Sequence, residues 1–340
     1  MARVLVTGGA GFIGSNLAHR LLTQGHDVII YDNLSRQGTE KNVGWLRDNH
    51  GDGFVLVQGD VRDYPSVLQA VQGCEMVYHL AAQVAVTWSV ADPREDFEIN
   101  ALGTLNLLEA TRECEEPPIL LFTSTNKVYG GMEEVDIVEQ EKRYAYADLP
   151  RGVSEAQPLD FNSPYGCSKG AADQYVRDYS RIYGLRTVVV RMSCIYGPRQ
   201  FGIEDQGWVA HFLISSVLGR PITIYGDGKQ VRDILYVDDL LLAFERAVER
   251  IDVTAGQVYN MGGGPQNTIS IWTEFSELLT RLLGHKVEVG FDDWRPGDQA
   301  VYVSDTTKAR RELGWEPLTS VTVGIEKLFN WVVENKDLFR

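Results

Sequence analysis

Two spacings of hydrophobic residues alternate along the chain through residue 198. Short runs rich in Val, Ile and Leu are separated by longer segments whose apolar residues recur at helical spacing. The short runs are RVLVTG, DVIIYD, FVLVQGD, MVYHLAA, ILLFTST and TVVVRM. Strands that alternate with helices are typical of a parallel sheet covered on both faces, so the pattern predicts an α/β fold with a doubly wound parallel sheet.

Less regular spacing and glycine-containing turns follow residue 198, as in RQFGIEDQGW and IYGDG. This composition indicates a smaller lobe that binds the substrate. The strand-like stretches 231–238 and 257–261 are expected to return to the main sheet, which makes the lobe discontinuous in sequence. The predicted domains are a sheet domain, residues 1–198 with 230–262, and a substrate-binding lobe, residues 199–229 with 263–340.

The charge balance restricts what the chain can bind. Its 340 residues include 32 Lys and Arg against 47 Asp and Glu, a formal net charge of -15. Such a surface repels polyanions, so we expect no nucleic acid partner. An anionic substrate would need Arg or Lys placed locally.

Cysteine and histidine positions indicate neither a metal site nor a redox motif. The cysteines are Cys74, Cys114, Cys167 and Cys194. They lack paired spacing, and His79 and His211 belong to no ligand-like cluster. No apolar run approaches the roughly 18 residues of a membrane span. We therefore expect a cytoplasmic protein with reduced thiols, no metal and no membrane partner.

The segment VLVTGGAGFIGSNLAHRLL has the features of a dinucleotide-binding turn. It places Gly8, Gly11 and Gly14 between a predicted strand and an amphipathic helix. In order, these glycines allow a tight turn, the approach of the backbone to a pyrophosphate, and close packing of helix and strand. The helix N-terminus favours the anion. We therefore predict a Rossmann dinucleotide site here, and not merely a structural turn.

Acidic residues at the ends of the second and third predicted strands indicate which dinucleotide is bound. Asp32 is placed to accept hydrogen bonds from adenosine ribose hydroxyls, and its charge would repel a 2'-phosphate, so we expect NAD and not NADP. Arg36 could accommodate such a phosphate or could be a solvated loop residue. Asp60 and Val61 are expected against the adenine. The alternative is that Asp60 caps the next helix.

The segment NSPYGCSKGAADQY places two ionisable groups four residues apart. Ser163 suits a helix N-cap and Pro164 the first helical position, so Tyr165 and Lys169 would share one face of a helix. A phenol has a pKa of about 10, and about 4 kcal/mol of preferential phenolate stabilisation would bring it near neutrality. We expect Lys169 and a positively charged nicotinamide to supply it. The alternative is an unrelated pair on a helix surface.

Together these motifs resemble the extended short-chain dehydrogenase/reductase family of nucleotide-sugar enzymes over nearly the whole chain. The matching pieces are TGGAGFIG, HLAAQ, NALGTLNLLEA, TSTNKVYG, SPYGCSK, RMSCIYGPRQ, VRDILYVDD and RPGDQ. In that family the hydroxyl residue three positions before Val-Tyr-Gly binds the reacting sugar oxygen beside the Tyr, and the Lys also holds the nicotinamide ribose. The resemblance implies Thr125, Tyr165 and Lys169 as the catalytic residues.

The resemblance also implies contacts with NAD and with a nucleotide sugar. Those toward NAD are Gly8, Gly11, Phe12, Ile13, Gly14, Asp32, Asn33, Ser35, Arg36, Asp60, Val61, Leu80, Ala81, Ala82, Gln83, Asn100, Thr123, Tyr165 and Lys169. Those toward the substrate are Asn126, Lys127, Cys194, Arg199, Gln206, Gly207, Trp208, Val209, Thr223, Tyr225, Arg232, Arg295 and Asp298.

Several of these substrate contacts have a chemical reason. Guanidinium groups suit phosphate oxygens, so Arg199, Arg232 and Arg295 are expected near the diphosphate, although each could be a surface residue. Tyr225 is expected to pack on the base, with core packing at a strand end as the alternative. Residues 206–208 would open a helix over the pyrophosphate.

The residues after Thr125 restrict the reaction. Similar sugar 4,6-dehydratases carry Asp-Glu, or at least Glu, at this point, because eliminating water needs an added general acid and base. The related decarboxylating enzymes keep the Glu. Asn126 is a neutral amide and Lys127 is a cation, so neither can replace that carboxylate pair. The remaining chemistry is oxidation to a keto sugar followed by reduction, which gives epimerisation.

Within the family, the segments TSTNKVYG, RMSCIYG and RQFGIEDQGWVAHF are most similar to the CDP-tyvelose (CDP-paratose) 2-epimerase branch. This implies inversion at C2 of a CDP-linked hexose, from CDP-paratose to CDP-tyvelose or between CDP-glucose and CDP-mannose. Cys194 departs from the Asn found here in many members, so the geometry of the 4-epimerases cannot simply be transferred. Core packing of Cys194 is the equal alternative.

Two other functions stay open at this stage. The first is a 4-epimerase of a UDP-hexose or UDP-hexuronate that uses the same Thr, Tyr and Lys. The second is a non-catalytic NAD-binding regulator, against which the intact Tyr165 and Lys169 argue. A homodimer or homotetramer is expected.

Overall fold

The computed structural model describes residues 1–295 and 298–339. The strands are β1 (Arg3–Thr7), β2 (Asp27–Asp32), β3 (Phe54–Gln58), β4 (Met76–His79), β5 (Ile119–Thr125), β6 (Ile137–Glu139), β7 (Tyr144–Tyr146), β8 (Thr187–Met192), β9 (Cys194–Tyr196), β10 (Thr223–Tyr225), β11 (Val231–Tyr236), β12 (Gln257–Met261), β13 (Thr268–Ser270), β14 (Gly290–Asp292) and β15 (Val301–Tyr302).

Helices connect most of these strands. They are α1 (Phe12–Thr23), α2 (Thr39–His50), α3 (Tyr64–Val71), α4 (Val86–Ala91), α5 (Pro93–Phe97), α6 (Gly103–Arg112), α7 (Ser163–Tyr183), α8 (Trp208–Leu218), α9 (Val237–Glu249), α10 (Ile251–Thr254), α11 (Phe275–Leu283), α12 (Thr307–Leu313) and α13 (Val321–Glu334). A π-helical turn covers Glu98–Leu102, and 3-10 turns cover Asn126–Tyr129 and Lys336–Phe339. No helix in the described part of the chain combines the length and apolar character needed to cross a bilayer.

The chain folds into two compact units. Unit 1 comprises Met1–Val128, Ser163–Arg191 and Leu241–Tyr259, and unit 2 comprises the remainder. Unit 1 is built on a seven-stranded sheet with the order β12-β8-β5-β4-β1-β2-β3, in which β1 pairs in parallel with both β2 and β4. The order runs outward in opposite directions from the β1–β4 pair, so the predicted doubly wound parallel sheet is confirmed.

Both faces of this sheet are covered, which explains why its strands are hydrophobic at nearly every position. On one face, strand residues such as Leu5 and Val77 pack against α3, α6 and α7. On the other face, Tyr78 of β4 lies against Phe244 of α9, with ring centroids 6.0 Å apart. The alternation of side chains along each strand directs them to these two layers.

Unit 2 contains a separate four-stranded sheet and an aromatic core. β11 pairs antiparallel with β13 and in parallel with β15 and β9. The core beside it includes Phe212, Trp272 and Phe275, whose rings contact one another. Two further sheets of two strands pair β10 with β14 and β6 with β7.

The expectation that stretch 231–238 returns to the main sheet is wrong, whereas 257–261 does return as β12. Asp233 accounts for part of the difference. Its buried carboxylate accepts the backbone N–H groups of Gly264 and Ser304, which holds β11 within unit 2.

The two units also divide the chain differently from the boundaries expected from sequence. Residues 129–162 and 230–240 group with unit 2. A hydrogen bond from the side chain of Gln299 to the carbonyl of Gly130 joins the first of these segments to the rest of unit 2. Short-range hydrophobic patterns carry no signal for contacts so distant in sequence.

The buried ion pair between Arg191 of β8 and Asp173 of α7 yields a stability prediction. Its two hydrogen bonds are 2.8 and 2.9 Å long, and both side chains are almost fully buried. Arg191→Leu leaves an uncompensated buried carboxylate, so we expect a loss of about 3–5 kcal/mol in the free energy of unfolding. Arg246→Leu, which breaks an exposed pair with Glu249, is the control in thermal and urea unfolding. Equal stability of the two variants would contradict the prediction.

Candidate active site

The glycine-rich turn joins β1 to α1 in a tight bend. Gly8 has φ of +68° and donates its N–H to the carbonyl of Tyr31 at 2.8 Å. A Cβ on Gly14 would lie 2.2 Å from the carbonyl oxygen of Gly8, and one on Gly8 would lie 2.7 Å from the backbone N of Ala81. α1 begins at Phe12 with Gly11 as its N-cap. The open helix end and the close backbone approaches match the requirements of a pyrophosphate cradle.

Asp32 ends β2 with its carboxylate oriented by the backbone. Its Oδ2 accepts the N–H of Ala10 at 3.0 Å, and its Oδ1 accepts the N–H of Leu34 at 2.8 Å. Burial raises the pKa of this carboxyl, while the two N–H groups and the charge of Arg36 lower it. Arg36 itself is exposed. The second lone pairs of the Asp32 oxygens suit the hydroxyls of a ribose.

Asp60 lies after β3 in a network of side chains that the sequence did not reveal. Arg62 donates to both of its carboxylate oxygens at 2.9 and 2.8 Å, and Asn33 donates at 3.0 Å. These contacts hold the pKa of Asp60 well below its usual range. The capping alternative for Asp60 is wrong, because Asp63 is the N-cap of α3.

Val61, the other predicted adenine contact, is buried. A Cβ on Gly103 would lie 2.6 Å from its Cγ2. Its side chain therefore packs against the start of α6.

The carboxyl end of β4 contributes the next group of predicted cofactor contacts, Leu80 to Gln83. Gln83 donates its backbone N–H to Asn100 at 3.0 Å, and Asn100 donates back to the carbonyl of Gln83 at 3.1 Å. Thr123 of β5 donates its hydroxyl to the carbonyl of His79 at 3.1 Å. These bonds bring the ends of β4, β5 and the π-helical turn together.

His79, to which the sequence assigned no role, is fully buried in this region. Its ring nitrogens contact the hydroxyls of Thr7 at 2.7 Å and Thr104 at 3.0 Å. Burial, with a smaller effect from Lys169, lowers its pKa to about 3, so it is neutral near pH 7. The ring therefore links β1, β4 and α6 without carrying charge.

Thr125, Tyr165 and Lys169 come together in unit 1. α7 begins at Ser163, whose hydroxyl accepts the N–H of Gly166 at 3.2 Å. Tyr165 is 9% exposed and Lys169 is 2% exposed, so the alternative of an unrelated pair on a helix surface is wrong. Thr125 ends β5 and lies near enough to the phenol of Tyr165 for its hydroxyl to lower the pKa of that group. The arrangement joins a hydroxyl, a phenol and an amine in one buried place.

Burial favours the neutral form of both ionisable groups at this place, and the expected effect of a bound nicotinamide stays a prediction. Burial raises the pKa of Tyr165 to about 12, although Thr125 and Arg36 act to lower it. Burial lowers the pKa of Lys169 to about 7, opposed by the charges of Asp173 and Asp96. The protein groups alone therefore do not bring the phenol near neutrality.

Asn126 and Lys127 occupy the 3-10 turn that directly follows β5. The hydroxyl of Thr125 accepts the N–H of Lys127 at 3.2 Å, which fixes the turn against the strand end. Immediately after Thr125, this chain therefore has an amide and an ammonium where the 4,6-dehydratases are expected to carry carboxylates. Among the described residues, no group of three or more His, Cys, Asp or Glu side chains could hold a metal ion.

Unit 2 carries the predicted substrate contacts other than Asn126 and Lys127, and several of them have partners of their own. Arg232 is 5% exposed and donates to Asp298 at 2.6 Å. The guanidinium of Arg295 lies 3.9 Å from the centre of the Tyr225 ring and 3.3 Å from a carboxylate oxygen of Asp205. One face of Tyr225, the residue expected to pack on a base, is therefore covered by a cation. Pro296 and Gly297 of the RPGDQ motif lie outside the described residues.

Most of the other predicted substrate contacts in unit 2 lie on, or directly before, α8, β9 and β10. α8 begins at Trp208, after Gly207 with φ of +74°, as residues 206–208 predicted. Its next residue, Val209, is buried in the core. Cys194 is half-buried in β9, and Thr223 begins β10.

Arg199 has φ of +67°, and its guanidinium lies 5.6 Å from the centre of the Trp331 ring. Its charge is thus placed against an aromatic face of unit 2.

Comparison with known proteins gives concordant relatives. The family model described as GDP-mannose 4,6 dehydratase matches residues 5–328. CDP-paratose 2-epimerase of Salmonella typhi is 43% identical, over 97% of this chain and 98% of that protein. UDP-glucose 4-epimerase of Mycolicibacterium smegmatis is 35% identical, over 96% of each chain.

Solved structures agree with these matches. A UDP-glucose 4-epimerase from Thermotoga maritima, crystallised with UDP-glucose, has a TM-score of 0.83 at 31% identity, with 98% of this chain and 99% of that chain covered. A dTDP-glucose 4,6-dehydratase from Streptomyces venezuelae with bound NAD has a TM-score of 0.84 at 29% identity, with 99% of each chain covered. With one family model and these relatives matched over nearly its whole length, the chain belongs to the GDP-mannose 4,6 dehydratase family of extended short-chain dehydrogenases/reductases.

Proposed function

We propose that this NAD-dependent nucleotide-sugar enzyme inverts C2 of a CDP-linked hexose, of the CDP-paratose to CDP-tyvelose type. The observation that carries epimerisation is the buried set of Thr125, Tyr165 and Lys169, followed by Asn126 and Lys127 in place of carboxylates. The choice of CDP and of C2 is supported by the 43% identical relative named CDP-paratose 2-epimerase.

The residues of unit 1 fit NAD. The cradle at Gly8 and Gly14 leaves no room for a Cβ, and the oriented carboxylate of Asp32 suits unphosphorylated ribose hydroxyls. Bound there, NAD would supply a reversible acceptor for the hydride of a sugar carbon. Leu80 to Gln83 and Thr123, which border the ends of β4 and β5, are proposed as further contacts.

Tyr165 is proposed to take the proton of the sugar hydroxyl during oxidation and to return it during reduction. The hydroxyl of Thr125 lowers the pKa of the phenol and is proposed to hold the sugar oxygen. Arg36 places positive charge toward the phenolate, against the effect of burial, and Lys169, one turn along α7, is proposed to do the same. Asn126 and Lys127 can donate hydrogen bonds but supply no carboxylate for elimination of water.

Unit 2 is proposed to hold the nucleotide part of the substrate. The guanidinium groups of Arg232 and Arg295 are paired with Asp298 and Asp205. Phosphate oxygens can replace such carboxylates, because both anions accept the same forked N–H pattern. A base that stacks on the face of Tyr225 covered by Arg295 would have to displace that guanidinium.

A 4-epimerase of a UDP-sugar is the second candidate. It is favoured by the relative named UDP-glucose 4-epimerase. Such a reaction would use the same Thr125, Tyr165 and Lys169 of this chain. A non-catalytic regulator explains less, because a sensor has no need of a buried phenol and ammonium side by side. A homodimer or homotetramer is also proposed, and light scattering would determine it.

The glycine cradle gives a prediction for cofactor binding. Gly14→Ala places a Cβ 2.2 Å from the Gly8 carbonyl, so α1 must shift away from the turn. We expect at least a tenfold loss of NAD affinity, measured by calorimetry after removal of bound cofactor. Gly44→Ala in α2 is the matched control, since nothing lies within 4 Å of its Cβ. Unchanged affinity in Gly14→Ala would show that the turn is not the cradle.

The proton-transfer role of Tyr165 predicts a selective loss. Tyr165→Phe removes only the phenolic oxygen, so turnover should fall about 100-fold or more while NAD stays bound. Tyr175→Phe, an exposed position on the same helix, should keep wild-type turnover. Retention of more than about a tenth of the rate in Tyr165→Phe would contradict general base catalysis by this group.

The substrate and the route are tested together by NMR in deuterated water. CDP-, UDP-, GDP- and dTDP-hexoses are incubated with the enzyme as purified, without added NAD. We expect inversion at C2 of a CDP-sugar with protium retained there, because a transferred hydride does not exchange with solvent. Inversion of a UDP-sugar at C4 would replace the proposal by the second candidate. Stoichiometric deuterium at C2 would exclude oxidation and reduction, and no turnover of any sugar would exclude both.

A further inference from the structure

Asp96 is a buried carboxylate beside the active-site helix, and sequence reasoning assigned it no role. It lies in α5 and has 0% exposed surface. The hydroxyl of Ser168 donates to its Oδ2 at 2.5 Å, and the side-chain amide of Asn100 donates to its Oδ1 at 3.1 Å. Both oxygens are therefore held, and one of the donors is the residue that directly precedes Lys169.

The position of this carboxylate is determined from several elements. Asn100 lies in the π-helical turn, and its amide also contacts the carbonyl of Gln83 and the hydroxyl of Ser168, both at 3.1 Å. π-helical turns are often found at functional sites, since the extra residue redirects a side chain. The network joins α5, the turn, the end of β4 and α7, so Asp96 has little freedom to turn away.

Two carboxylates act on Lys169, but only one is neutralised by an ion pair. Asp173, one turn further along α7, is bound at both oxygens by Arg191. Asp96 receives its hydrogen bonds from the neutral donors Ser168 and Asn100. Within residues 1–295 and 298–339, no ion pair joins Asp96 to a cation. Asp173 raises the pKa of Lys169 more than Asp96 does, but among the described residues Asp96 is the one of the two carboxylates without an ion pair.

The other groups near Lys169 and Tyr165 do not supply the negative charge of Asp96. The ammonium of Lys169 lies 4.2 Å from the centre of the Phe122 ring, whose face attracts a cation but carries no net charge. His79 is neutral, and Arg36 acts on Tyr165 with a positive charge. A buried ammonium needs an anion, and Asp96 supplies one.

We propose that Asp96 is a positioning residue whose buried negative charge keeps Lys169 protonated beside Tyr165. The inference deepens the proposed function, on which its catalytic meaning rests. Asp96 touches neither sugar nor cofactor in this proposal and acts through Lys169. A merely structural Asp96 would hold α5 to α7 through the same hydrogen bonds, with no effect on proton affinity.

The sign of the effect is the same for both groups. An ionised Asp96 raises the pKa of Lys169 and also raises the pKa of Tyr165. Asp96→Asn keeps the shape and removes the charge, so both groups should lose their proton at lower pH. If activity requires a Tyr165 phenolate and a Lys169 ammonium, both limbs of the pH-rate profile should move toward acid.

The first test needs no substrate. Lysine carrying carbon-13 at the ε position is incorporated, and the NMR signal of Lys169 is identified by its loss in Lys169→Arg. The wild-type midpoint is expected at about 7. In Asp96→Asn it should fall by about one pH unit, the size of one nearby charge. Glu98→Gln, which removes a partly exposed charge two residues away, should leave the midpoint unchanged.

A second variant covers the case in which Asp96→Asn does not fold. Ser168→Ala removes a hydrogen-bond donor that favours the ionised carboxylate of Asp96. The Lys169 midpoint should therefore fall, as in Asp96→Asn, and by no more than it falls in that variant. Folding of each variant is checked by circular dichroism. An unchanged or raised midpoint in the folded variants would overturn the proposal and leave Asp96 a structural role.

The second test measures turnover of the CDP-sugar against pH in the same variants. Both limbs should move toward acid by about one pH unit in Asp96→Asn and stay in place in Glu98→Gln. A lower plateau with unmoved limbs would overturn the proposal. If wild-type enzyme turns over no CDP-sugar, the proposed function fails, and the NMR titration still decides the role of Asp96.

Discussion

A lysine ammonium buried away from water is the constraint on which the candidate active site in unit 1 depends. An unpaired ion in such a place costs several kcal/mol, so the surroundings must oppose that cost. Phe122 offers its ring to Lys169, and Asp96 and Asp173 offer charge. Each carboxylate in turn needs partners. Arg191 of β8 binds Asp173, and Asn100 of the π-helical turn binds Asp96 of α5.

The sheet order places the partners of Lys169 next to the residues proposed to hold NAD. β1 and β4 are neighbours although two strands separate them in sequence, and the connections diverge from this pair. Loops after such a pair leave a crevice at the carboxyl ends of the strands, where α/β proteins bind ligands. Gly8 follows β1, and Leu80 follows β4. The close approach of Gly8 to Ala81 lies at this point of the sheet.

The sequence allowed prediction of what depends on local spacing. The strands of unit 1, the turn at Gly8 and the helix that carries Tyr165 and Lys169 follow from hydrophobic period, glycines and helix-start residues. Contacts between distant segments could not be predicted this way. Asp96 and Ser168 are hydrogen-bonded although 72 positions separate them, and no sequence pattern links two residues so far apart. The pairing of β11 with strands of a separate sheet could not be predicted for the same reason.

The Glu98–Leu102 π-helical turn has a consequence for how this protein tolerates length changes. A π turn holds one residue more than an α turn, and each residue of a helix adds a rotation of about 100°. Deletion of that residue would convert the turn to α-helix but rotate everything after it on α6 by this angle. Thr104, now bonded to His79, would face elsewhere, and the buried side of α6 would turn toward water. The orientation of α6 therefore depends on the extra residue of the π-helical turn. A version of this segment that is one residue shorter could not form the same turn.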